Sequence, residues 1–385
     1  MPTTMSIETI GLTAGALATA FLVALISTPI VKTLAQKWGA VDVPKDARRM
    51  HNHPIPRMGG LAIFLGFLLS VILFLPFLPN GISRQVQGML LGAVVIVVLG
   101  ILDDIFALPA LPKLLVQIVA AGLAAYTGNV IKVLSNPNIF SSDPYWELGW
   151  LSIPATMLWI VAITNAVNLI DGLDGLACGV STISSMTMLV IALVVAEPNV
   201  AVLMACLAGA CIGFLPYNLN PAKIFMGDTG STFLGYILGV VSIQGLFKYS
   251  AIISFVVPFL MLGLPIFDTC FAFIRRIAHG QSPMHADRSH VHHRLIDMGL
   301  SQKQAVAVLY VISAILGLCA VVLTTIGELK AMLLLFALCV TGGVSARLFL
   351  PGGERRDRED HPQAQNQNPA GEEQNSDRQE KEEQL

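Results

Sequence analysis

From residue 9 to residue 349 the sequence is a succession of apolar stretches, most about as long as a helix needs to cross the hydrocarbon of a bilayer. They fall near 9–31, 58–78, 88–102, 112–128, 153–169, 179–196, 200–216, 230–247, 251–274, 304–326 and 329–349. In hydrocarbon a continuous apolar segment can satisfy its own backbone polar groups only as a helix. The expected fold is therefore an all-α polytopic membrane protein with about eleven transmembrane helices. The third stretch is short, so its helix is expected to tilt, end early or extend beyond the hydrocarbon. Segment 129–152 carries turn residues with Tyr145, Trp146 and Trp150, and reads as an ordered interfacial loop or hairpin. Charged residues make up only 12% of the chain, about half the soluble average, which excludes a water-soluble enzyme.

Charge sets the orientation. Alternate connections, together with the C-terminal region, hold 19 of the 23 Lys and Arg residues. The remaining four, Arg84, Lys132, Lys248 and Lys330, fall on the opposite side. The positive-inside rule then predicts an N-terminus outside and a C-terminus in the cytoplasm. Met1–Ile10 has no Lys or Arg, so the first apolar run is expected to be a retained helix rather than a cleaved signal. Residues 1–350 form the expected transmembrane catalytic domain. Residues 351–385, acidic and rich in Gln, Asn and Pro, read as a disordered cytoplasmic tail. The six cysteines are scattered through apolar runs and read as buried thiols.

Four polar constellations stand at the ends of spans, all on the predicted cytoplasmic side. They are Asp103-Asp104 with Lys113; Asn165 to Gly175, containing Asn168, Asp171 and Asp174; Asn218 to Ser231, containing Phe225 and Asp228; and His285 to Arg294. A single carboxylate at a helix end is usually a cap. Carboxylates held close together repel unless a cation or a shared proton intervenes. For five meeting at one membrane face a divalent metal is the simplest remedy, and oxygen-only ligands point to Mg²⁺, with Mn²⁺ as a substitute. Arg288, His290, His292, His293 and Arg294 suit phosphate oxygens better than zinc, since no cysteine joins them. Arg48 and Arg57 flank a second basic loop on the same side. Gly227 and Gly230 offer a weak candidate phosphate cradle around Asp228. Asp268, inside the ninth span, reads as structural. A transporter is disfavoured because the acids sit at span ends on one side and no internal repeat is visible. These residues imply Mg²⁺-dependent phosphate chemistry at the cytoplasmic membrane face, with no nucleic-acid partner.

At these same residues the sequence resembles the polyprenyl-phosphate N-acetylhexosamine-1-phosphate transferases, and within them the WecA/TagO type more than MraY. The matching stretches are RMGGLAIF (57–64), GILDDIFALPALPK (100–113), NAVNLIDGLDGLA (165–177), PAKIFMGDTGSTFLG (221–235), LPIFDT (264–269) and HADRSHVHHRL (285–295). The resemblance implies transfer of a sugar-1-phosphate, GlcNAc-1-phosphate foremost, from a UDP-N-acetylhexosamine to undecaprenyl phosphate in the bacterial inner membrane. It implies Asp228 and Asp104 as Mg²⁺ ligands, and Asp103, Asp104, Asp171, His290, His292 and His293 as catalytic. Lys113, Asn168, Gly172, Leu173, Asp174, Asn218, Phe225, Arg288, Arg294, Arg48 and Arg57 would bind substrate, with Phe225 stacking on the base. Family members are commonly dimeric, so a homodimer is expected.

Overall fold

The computed structural model describes residues 5–43, 54–78, 81–135, 145–246, 251–278 and 291–326, all within one compact unit spanning residues 1–332. The expected eleventh span and the acidic tail lie outside the described residues. The helices are α1 (Ile7–Trp38), α2 (Gly60–Phe74), α3 (Arg84–Phe106), α4 (Ala110–Tyr126), α5 (Ser152–Leu169), α6 (Leu176–Val194), α7 (Pro198–Asn218), α8 (Gly227–Leu246), α9 (Ala251–Met261), α10 (Gly263–Ala278), α11 (Val291–Asp297) and α12 (Gln302–Ile326). Among the described residues, seven helical segments are long and apolar enough to cross a membrane, and α4 is a shorter apolar helix. The chain is an all-α polytopic membrane protein. The only strands among the described residues are four short ones. β1 (Val41–Asp42) pairs antiparallel with β2 (Ile55–Pro56), and β3 (Val133–Ser135) with β4 (Tyr145–Glu147), the second pair forming the hairpin expected in 129–152.

Two departures from the apolar pattern have local causes. The third span is longer than its apolar run. Ser83, extended, accepts the Val86 amide and starts α3 among polar residues, and the helix continues until Ala107 turns left-handed (φ 52°). Asp103 and Asp104 therefore lie in its last turn. The ninth span is broken into α9 and α10 at Leu262. Pro265 has no N–H to give the Met261 carbonyl four residues back. The Ser184 hydroxyl from α6 donates to that carbonyl instead, at 2.7 Å.

Packing in the centre relies on small residues, as expected where lipid removes the hydrophobic drive between helices. Ala16, Ala20 and Ala24 form a buried ridge on α1, against which α7 presents Gly209 and Gly213. The start of α8 is seated more tightly still. A Cβ at Gly100 of α3 would come within 2.6 Å of the Thr229 nitrogen, and one at Gly60 of α2 within 2.6 Å of the Thr229 carbonyl carbon. The backbone carrying Asp228 is thus pinned between two glycines.

Candidate active site

The three acidic segments meet at that pinned end of α8. Asp104 acts as a cap supplied by another helix. Its Oδ1 accepts the Asp228 amide at 3.0 Å, and its Oδ2 accepts the Thr229 amide at 3.1 Å and the Thr229 hydroxyl at 2.6 Å. A carboxylate there also complements the positive end of the helix. Gly227 is needed for two reasons: its φ is +72°, and a Cβ would crowd the Asp104 carboxylate at 2.5 Å. The amides at 228 and 229, expected as a possible phosphate cradle, donate to Asp104.

Asp228 itself points elsewhere. Its Oδ1 accepts from Asn168 at 3.1 Å, and its Oδ2 from the Lys113 ammonium at 3.3 Å. Lys113 also donates to Asp103 Oδ2 at 2.8 Å, so one cation holds two carboxylates from α3 and α8. The other oxygen of Asp103 accepts the Leu108 amide at 2.7 Å, fixing the turn after α3. Arg57 closes the same helix end. Its guanidinium donates to the Asp103 and Asp104 carbonyls, both at 3.3 Å, and its Nε lies 3.6 Å from Asp104 Oδ1. A cation is favoured there by the negative end of α3.

The loop between α5 and α6 supplies Asp171 to Asp174. Asp174 Oδ2 accepts from Asn220 at 2.9 Å and from the Ala222 amide at 3.0 Å, tying this loop to the one after α7. Asn218 is buried and donates to the Ile224 carbonyl at 3.1 Å, closing the turn that leads to Phe225. The Phe225 backbone is bound in turn to the carbonyl of Pro56 and the amide of Gly59. Burial pushes the Asp171 carboxyl up to about 8, and the carboxylates of Asp228, Asp104 and Asp174 push it the same way.

These groups surround a cavity of about 310 Å³. Asp104, Asp171, Asp174 and Asp228 line it with Arg57, Gly172, Leu173, Asn218, Phe225 and His293. Asp103, Lys113 and Asn168 stand behind Asp228, bonded to it directly or through the shared ammonium. His292 is buried behind Gly172, where a Cβ would overlap its imidazole. Arg294 turns away to lie over the Phe271 ring, 4.9 Å from its centroid. Both were expected to face substrate; neither lines the cavity. Arg48, Arg288 and His290 lie outside the described residues. Two lining residues escaped the sequence reading, Asp42 on β1 and Gln302 at the start of α12, whose side chain accepts from Asn220 at 2.7 Å. Neither stands in a charge cluster or a motif, so no signal marked them.

A second pocket, about 360 Å³ and almost wholly apolar, runs along α5. Ala155, Trp159, Ala162 and Ala166 form one wall, and Phe259 of α9 and Ile266 of α10 the other. Its end at Ala166 is two residues from Asn168.

The sequence model of glycosyl transferase family 4 matches residues 86–246, the stretch that contains all three acidic segments. The chain is 45% identical over 321 residues to the probable undecaprenyl-phosphate N-acetylglucosaminyl 1-phosphate transferase of Bacillus subtilis (strain 168), covering 83% of this chain and 87% of that protein. This chain belongs to the polyprenyl-phosphate N-acetylhexosamine-1-phosphate transferase family. Within it, the decaprenyl-phosphate N-acetylglucosaminephosphotransferase of Mycolicibacterium smegmatis is 35% identical over 321 residues, 76% of this chain and 77% of the relative. The phospho-N-acetylmuramoyl-pentapeptide-transferase of Desulforudis audaxviator is 32% identical over 322 residues, 77% of this chain and 93% of the relative.

Proposed function

We propose that this transferase moves N-acetylglucosamine-1-phosphate from UDP-N-acetylglucosamine to undecaprenyl phosphate and releases UMP. The observation that carries the reading is the convergence of three remote acidic segments on one polar cavity, beside the end of an apolar groove. The 45% identity to a protein named for this reaction supports the choice of sugar and lipid.

In the proposed reaction an acceptor phosphate oxygen attacks the β-phosphorus of the UDP-sugar. The new P–O bond replaces the bond from that phosphorus to the bridging oxygen, which leaves with UMP. One phosphoanhydride replaces another, so little driving force is needed. Arg57 and His293 would offset charge on the diphosphate, with Lys113 holding Asp103 and Asp228 in place. Asp103 would orient the acceptor phosphate. A strong base is unnecessary, because a phosphate monoester is largely dianionic at pH 7. Phe225, Asn218, Leu173 and Asp174 would hold the uracil, and the groove along α5 the first units of the prenyl chain.

The donor set fits Mg²⁺: it is all oxygen, with four of the five acids under discussion lining one cavity. Among the described residues no three acidic or imidazole groups form a closed metal cage. Mg²⁺ commonly uses one or two carboxylates and completes its shell with water and phosphate. Asp228 and Asp171 would hold it, while the oxygens of Asp104 seat α8. When bound, the ion would neutralise charge developing on the diphosphate. The charge asymmetry of the connections supports eleven spans, an outside N-terminus and a cytoplasmic cavity in the bacterial inner membrane.

The test is UMP release by the purified full chain with Mg²⁺, undecaprenyl phosphate and a panel of UDP-sugars. UDP-N-acetylglucosamine should support turnover, and EDTA should stop it. Release only with UDP-N-acetylmuramoyl-pentapeptide would overturn the assignment of substrate.

A further inference from the structure

One buried acid takes no part in the chemistry above. Asp268 lies on α10, only 3% exposed, at a buried position where a carboxylate is costly to keep unless it is bonded. Its Oδ1 accepts the Val291 amide at 2.8 Å. Val291 is the first residue of α11, so its N–H has no carbonyl partner inside that helix. Phe271 lies three residues further along α10, on the same face as Asp268, and it carries the Arg294 guanidinium over its ring. Thus α10 grips α11 at two points, an amide at residue 291 and a side chain at residue 294.

Between those two points lie His292 and His293, their rings 4.3 Å apart. His292 packs on Gly172, next to Asp171, and His293 lines the cavity. Asp268 and His292 also border the same small void, together with Ile170 and Leu176 at the two ends of the Asp171–Asp174 loop. We propose that Asp268 is a positioning residue of the transferase: it fixes α11 on α10, so that His293 faces the cavity and His292 backs Gly172. The proposal rests on the reading of the cavity as the active site. It explains why an acid is kept at a buried position outside the cavity.

The experiment uses the full chain in detergent and reads two quantities, amide hydrogen exchange and UMP release. Asp268→Leu removes the acceptor with a side chain of similar size that suits a buried position. Exchange in residues 291–297 should rise about tenfold or more, with α7 and α8 unchanged, and kcat should fall about tenfold. Asp268→Asn keeps an acceptor oxygen and should remain within about threefold of the parent in both readouts. In the double variant Asp268→Leu/His293→Ala, kcat should fall no further than in the worse single variant, because both changes remove the same contact. Unchanged exchange in 291–297, or losses that multiply in the double variant, would overturn the proposal. A fully active His293→Ala, with α11 still loosened by Asp268→Leu, would instead overturn the reading of the cavity on which it rests.

Discussion

Replacing Gly60 by alanine tests whether the seat of α8 sets the catalytic geometry. The added Cβ would overlap Gly230 and stand 2.6 Å from the Thr229 carbonyl carbon, where ordinary contact begins near 3.4 Å. The backbone at 229–230 must therefore retreat by about 1 Å, and Asp228 is its immediate neighbour. The Asp104 bonds to the 228 and 229 amides, now 3.0 and 3.1 Å, would lengthen with it. A misplacement of about 1 Å in a reacting constellation costs about 10²-fold in rate, and overpacking costs about 1–3 kcal/mol of stability. Gly66→Ala supplies the control. It is also crowded, though less severely, with a Cβ 2.7 Å from the Ala20 carbonyl oxygen, and it presses on α1 and α7 rather than α8. UMP release with saturating substrates should fall about 100-fold in Gly60→Ala and stay within threefold in Gly66→Ala, while both lose a few degrees of thermal stability. Parental kcat in Gly60→Ala, or equal losses in both variants, would refute the argument.

Asp228→Asn keeps the size of the side chain but removes the charge shared with Lys113. It should lower turnover about 10³-fold and raise the Mg²⁺ needed for the residual rate, read from UMP release against Mg²⁺ concentration. Ala162→Phe fills the groove along α5 and should raise KM for undecaprenyl phosphate about tenfold, with KM for the UDP-sugar unchanged. Asp171 keeps its proton up to about pH 8 in the fold, whereas in the unfolded chain it ionises near 4. Between these values the folded state binds the extra proton, so stability falls as pH rises from about 5 to 8. In Mg²⁺-free detergent the thermal midpoint should decline over that range, and Asp171→Asn should flatten the slope.

Among the described residues, seven of the eleven expected spans stand as helical segments long and apolar enough to cross a membrane, legible because hydropathy is additive along a helix. The meeting of the acids was legible because like charges brought together need a common partner. What escaped was decided by single atoms. The break in the ninth span depends on one missing amide at Pro265 and on a serine in α6 to meet the freed carbonyl. The fourth constellation looked uniform, yet a seven-residue helix divides it by direction: His293 to the cavity, His292 into the core, Arg294 onto an aromatic ring. Direction on a helix follows from its first residue, and that start is set by Asp268, distant in sequence.

The carboxylates themselves fall into two classes that no spacing rule distinguishes. The Asp104 side chain is 1% exposed and bonded to backbone donors of α8, whereas the side chain of Asp228 is 34% exposed and meets only side chains. Asp174 resembles Asp104 in accepting a backbone amide from another loop. Such acids align one segment with the next, so their charge is already committed to N–H groups before any substrate arrives. Asp103 divides its oxygens between the Leu108 amide and Lys113, so in the proposed reaction Asp171 and Asp228 would be the acids left to face a cation and phosphate. An Asn at Asp104 should therefore act through the position of α8, and its loss should not multiply with that of Gly60→Ala, because both loosen the same seat.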